Sequence, residues 1–154
     1  MNWEAIGAVG ELLGAIGVIL TLLYLATQIR QNTMSNRQAA LQTISVQNAE
    51  WLSLIIQDED VARIFRTGQR DVDSLENEDS VRYGMLMTQF CRVFDAQYHQ
   101  YMNGALVEDM WVSSVRSIIS VMTRNGAKVW WSRFGNQFSD PFQEFMESVL
   151  EDDS

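Results

Sequence analysis

His99 is the only histidine of the chain, and Asp95 precedes it by one helical turn in DAQYHQY. An imidazole beside a carboxylate is the pairing used for general acid–base chemistry. The same spacing describes an exposed helix histidine with an i,i+4 partner, which is the simpler arrangement and the one expected here. Cys91 is the only cysteine. It lies two helical turns from His99, too far for a nucleophile–base contact. One Cys and one His also fall short of the ligands that a zinc site needs. The paired Glu-x-x-His motifs of a di-iron bundle are missing, as is a Gly-rich loop before a Lys-Ser/Thr pair. These residues point away from an enzyme, and neither a metal nor a cofactor is expected.

A second acid, Glu11, borders a glycine stripe in the apolar segment WEAIGAVGELLGAIGVILTLLYLATQIR. At about 100° per residue, Gly7, Gly10, Gly14, Gly17, Thr21, Tyr24 and Gln28 share roughly a third of the helix circumference. Their 3-4-3 spacing keeps one side of a helix facing a partner. In lipid, small residues let two backbones approach closely. Gly7, Gly10, Gly14, Gly17, Thr21 and Tyr24 are therefore the expected interface of a homo-oligomer, or of a contact with another membrane protein. Leu12, Ile16, Ile19 and Leu23 occupy the opposite side, as a lipid-facing surface would.

Two placements are open for Glu11. Inside the hydrocarbon an ionised carboxylate is costly and is retained for pairing or for proton or ion handling. In a ring of helices it would form a cation-attracting collar. At the outer headgroup boundary it is simply solvated, and residues 12–29 form the span. The second placement is preferred, because that run is long enough by itself.

Residues 12–29 carry no formal charge. They make about 27 Å of helix at roughly 1.5 Å per residue, close to a hydrocarbon thickness of about 30 Å. Trp3 at one end, and Tyr24 and Arg30 near the other, suit the two interfaces. A secretory signal peptide is a poor fit: Glu4 stands where a basic residue belongs, the apolar run is too long and no A-x-A pattern follows. The expected organisation is a transmembrane helix over residues 1–31 and a helical domain over 32–154. Arg30 and Arg37 follow the span and no basic residue precedes it, which places the N-terminus outside and the domain in the cytoplasm. A lone Cys91, with no partner for a disulfide, agrees with that side.

Roughly 120 residues remain after the span, enough for one domain with its own core. The chain carries 20 acidic against 11 basic side chains, a net charge of −9. That balance argues against nucleic acid as a partner and against an anionic-lipid-binding surface. The acids concentrate at 58–60, 71–79 and 151–153, as solvated loops and ends do.

Breakers organise the domain. Neither Gly nor Pro occurs between Gly17 and Gly68, so nothing forces the first helix to stop at the bilayer surface. Leu41, Ile44, Trp51, Leu52 and Ile55 recur at helical spacing over 35–57. A short helix over 61–67 is expected to pack Val61, Ile64 and Phe65 and to end at Gly68. A long helix over 77–102 has Val81, Met85, Phe90, Phe94, Tyr98 and Tyr101 as core candidates, with Asn103-Gly104 as its stop. Another over 107–124 carries Trp111, Val115, Ile118, Ile119 and Met122, and Asn125-Gly126 should end it. A short piece over 127–134 follows. Ser139-Asp140-Pro141 starts the last helix, with Ser139 as N-cap and Pro141 in the first turn. No segment alternates as a strand does, so the expected fold is all-α: one N-terminal transmembrane helix followed by a cytoplasmic helical bundle.

Trp130 and Trp131 form the densest aromatic cluster with Phe134 and Phe138. Adjacent tryptophans point to different sides of a helix, so one is expected in the core. For the other, a neighbouring helix, the bilayer interface and a partner are all open as cover, which makes Trp130 and Trp131 a candidate partner surface.

The opening NWEAIGAVGE, the stretch LLYLATQIRQNT and the distal motifs DVARIFRTG, DVDSLENED, NGALVEDMW, NGAKVWW and FSDPFQEF carry a resemblance over nearly the whole chain. It resembles a family of uncharacterised bacterial single-span proteins. The resemblance implies a helical domain anchored in the bacterial inner membrane, and brings no activity with it. Two functional classes follow from the residues. One is a non-enzymatic assembly protein or accessory subunit of a membrane complex. The other is a small homo-oligomeric cation or proton channel, with Glu11 facing the lumen and Thr21 and Gln28 as further candidates there. The first is expected, since stripe glycines are more often packing surface than pore lining.

Overall fold

With no Gly or Pro between Gly17 and Gly68, one α-helix continues from Trp3 to Gln57 (α1, Trp3–Gln57). The computed structural model describes residues 3–151, without the side chains of residues 4–6 and 8. The Glu4 carboxylate and Asp152 and Asp153 of the acidic tail thus lie outside the described residues. Five more helices follow: α2 (Glu59–Arg70), α3 (Asn77–Met102), α4 (Glu108–Met122), α5 (Asn125–Phe134) and α6 (Asp140–Glu151). Short 3-10 turns occupy Val72–Ser74 and Gly135–Gln137. Among the described residues there is no strand, and the fold is all-α.

The chain divides into two units, Met1–Ala39 and Ala40–Ser154. In the first, every side chain described is exposed. By length and composition its helix is the one among the described residues able to cross a membrane, and none of its apolar window is buried.

The second unit is the bundle. The end of α1 joins it through Ile44 and Trp51, both buried. The Trp51 indole N–H donates to the Leu86 carbonyl at 3.0 Å, and its ring meets Phe90 at 4.9 Å. Asp58 then caps α2: its carboxylate accepts from the Asp60 and Val61 N–H groups at 2.9 and 3.2 Å. A side-chain acceptor at that position satisfies donors that the helix start leaves free.

Helix α3 is central, with buried residues on several sides, Tyr83, Met87, Phe90, Phe94 and Gln97 among them. Phe90 and Phe94 take the core positions expected of them. Val81 and Met85 do not, being 57% and 67% exposed. At ~100° per residue both lie on the far side of the helix from Phe90, and Tyr83 and Met87 hold the core face instead. Leu52 and Ile119, expected at core spacing in α1 and α4, are likewise exposed. The Asn103-Gly104 stop is as read: α3 ends at Met102, and Gly104 adopts φ 69°, a left-handed value that favours glycine.

Two other glycine stops are corrected by the structure. Gly68 lies inside α2, which runs on to Arg70, and Asn125-Gly126 begins α5 instead of ending α4. Both glycines serve packing. A Cβ on Gly126 would stand 1.7 Å from the Gly68 carbonyl oxygen, and one on Gly68 would stand 2.3 Å from the Tyr83 ring. The two helices thus meet backbone to backbone, with Tyr83 as the seat. The Asn125 side-chain amide adds a bond to the Arg70 carbonyl at 3.5 Å.

The loop beside this contact is held by Arg133, whose two guanidinium nitrogens reach the two carboxylate oxygens of Asp73 at 2.7 and 2.9 Å. That hydrogen bonding holds the Asp73 carboxyl below its ordinary pKa. A lowered carboxylate pKa contributes stability above the unfolded value, and the contribution disappears as pH falls through the folded one. Both side chains are about half exposed, so solvent screening keeps the contribution small.

Candidate functional site

Asp95 and His99 share one face of α3, and the fold brings Ser139 to both. Asp95 is buried while His99 stands half exposed. The Ser139 hydroxyl donates to Asp95 Oδ1 at 2.6 Å, and the Ser139 backbone N–H donates to Asp95 Oδ2 at 3.4 Å. His99 Nε2 lies 3.0 Å from the same hydroxyl oxygen and 3.4 Å from Asp95 Oδ1. Ser139 holds the N-cap position foreseen for it, its carbonyl accepting from Phe142 and Gln143 at 3.0 and 2.9 Å. Its hydroxyl turns to Asp95.

A serine, a histidine and an aspartate in contact invite comparison with a hydrolytic triad. In a triad the imidazole takes the serine proton at Nε2 while the carboxylate holds the opposite nitrogen, Nδ1. Here the carboxylate and the hydroxyl both approach Nε2, and the serine proton is directed at Asp95. With carboxylate and hydroxyl on the same ring nitrogen, the Asp–His–Ser order of a triad is not present. The cluster is a clasp that ties the start of α6 to α3. Asp95→Ala should cost about 2–3 kcal/mol, because it leaves two Ser139 donors without their acceptor. His99→Gln should cost less than about 1 kcal/mol, its ring being half solvated. Denaturant titration of both variants checks the ranking, and an equal loss for the two would reverse the assignment.

Cys91 is almost wholly buried, with its sulfur 3.8 Å from that of Met122. Burial, and then the charge of Asp95, push its thiol well above the usual range. Such a group stays a protonated, unreactive core residue. Burial raises the Tyr83 hydroxyl in the same way. Among the described residues no three of His, Cys, Asp and Glu come together as a metal ion would require.

The aromatic pair proves to be interior on both sides. Trp130 is 2% exposed and Trp131 is 8% exposed. Trp130 faces Gly84 of α3, whose added Cβ would lie 3.6 Å from the indole nitrogen. Trp131 stacks on Phe138 at 5.4 Å and covers Gly135, where a Cβ would stand 2.8 Å from its ring. The partner surface expected of Trp130 or Trp131 is therefore corrected: α5 is covered on two sides, so neighbouring residues both face protein. Arg92 completes this corner, its guanidinium 4.9 Å from the Phe138 ring centroid and bonded to the Gln137 carbonyl at 3.1 Å.

Glu11 and the stripe lie in the first unit, where all are exposed. A Cβ built on Gly7, Gly10, Gly14 or Gly17 would meet nothing within 4 Å. The polar members of this face bond along their own helix. Thr21 donates to the Gly17 carbonyl at 2.8 Å, and the Gln28 amide donates to the Tyr24 hydroxyl at 3.0 Å. No protein-family model, no curated protein and no solved structure matches this chain.

Proposed function

We propose that this chain is a membrane-anchored, non-enzymatic assembly protein. The apolar part of α1 spans a bacterial inner membrane with the N-terminus outside, and the bundle lies in the cytoplasm as an interaction module. Association runs through Gly7, Gly10, Gly14, Gly17, Thr21 and Tyr24, either with further copies of the chain or with a helix of a larger membrane complex.

The observation that carries this reading is the uncovered apolar length of α1. Val9, Leu12, Leu13, Ile16, Val18, Ile19, Leu20, Leu22, Leu23, Leu25 and Ile29 are each 45–68% exposed. Full burial of such a side chain is worth about 1.5–3 kcal/mol. Leaving so many half exposed in water forgoes on the order of 10 kcal/mol, comparable to the whole stability of a typical domain. A bilayer removes that penalty. The glycines contribute a face free of bulk, which suits close helix packing in lipid.

Orientation rests on Arg30 and Arg37 beyond the apolar run. A periplasm-dependent alkaline phosphatase fused after Ser154 should be inactive, and a fluorescent protein in the same place should fold and fluoresce. Phosphatase activity from the fusion would overturn the orientation.

The bonding of Thr21 to Gly17 and of Gln28 to Tyr24 supports a packing face over a conducting one, since each directs a donor along its own helix. Reconstituted vesicles should show no cation flux above empty ones, and Glu11→Gln should leave both flux and assembly unaltered. Cation conductance in the wild type that Glu11→Gln reduces would replace the assembly reading with the channel.

A further inference from the structure

We draw no further inference here: the strongest candidate, the groove at the C-terminal end of α1 where Val46 and Leu54 stand exposed beside Gln89, carries nothing because nothing in the structure shows what covers it.

Discussion

Gly126→Ala is expected to destabilise the bundle by about 3 kcal/mol or more, the upper part of the range for overpacking a close contact. The added methyl would lie 1.7 Å from the Gly68 oxygen, 2.9 Å from its carbonyl carbon and 3.1 Å from that of Gln69. All three are backbone atoms, so no rotamer change relieves the clash and α2 and α5 must move apart. Their separation also loosens Gly68 from Tyr83 and disturbs Ile64, which is fully buried on α2. Gly84→Ala is the control. Its methyl would rest at 3.6 Å from Trp130, ordinary contact distance. There the gain in helix propensity, about 0.5–1 kcal/mol, should leave stability equal or improved. Denaturant titration followed by tryptophan emission reads the bundle, because Trp51, Trp111, Trp130 and Trp131 are all buried in it. Equal midpoints for Gly126→Ala and wild type would show that the two backbones do not meet as described.

The second large effect is on assembly. Gly10→Leu combined with Gly14→Leu should convert the detergent-solubilised oligomer to monomer, since two bulky side chains would hold the helices apart. The double replacement is unusually clean. A Cβ built on either glycine would meet nothing within 4 Å, so the leucines extend from an open face of the helix. Ile16→Leu on the opposite face should leave the mass as in wild type. Light scattering with detergent correction separates the outcomes. A double variant with the wild-type mass would remove the glycine face as the interface and leave the bundle to hold the assembly. A monomeric wild type would end the homo-oligomer reading and leave contact with a different membrane protein.

What could be read from residues alone was what short-range chemistry decides. The all-helical class came from apolar spacing and from the lack of breakers between Gly17 and Gly68. The end of α3 followed from Asn103-Gly104, where a left-handed residue is needed, and the start of α6 from Ser139 and Pro141. The charge-free run at 12–29 was legible in the same direct way. Each of these depends on dihedral preference or hydropathy within a few residues of the feature itself.

Tertiary structure decided the features that depend on which helices cross. Gly68 and Gly126 read as terminators because glycine commonly ends helices, yet here both are helical and permit a backbone contact between α2 and α5. Trp130 and Trp131 read as one core residue and one whose cover stayed open between a neighbouring helix, the bilayer interface and a partner, since a helix covered on one side buries only one of two neighbours. The packing of α5 against both α3 and the Phe138–Phe142 corner buries the pair. Asp95 and His99 were visible as an i,i+4 pair. Ser139, 44 residues from Asp95 in sequence, joins them only because the start of α6 returns to α3. Periodicity assigns a residue to a face of its own helix, but only packing determines whether that face meets protein, another copy, or lipid.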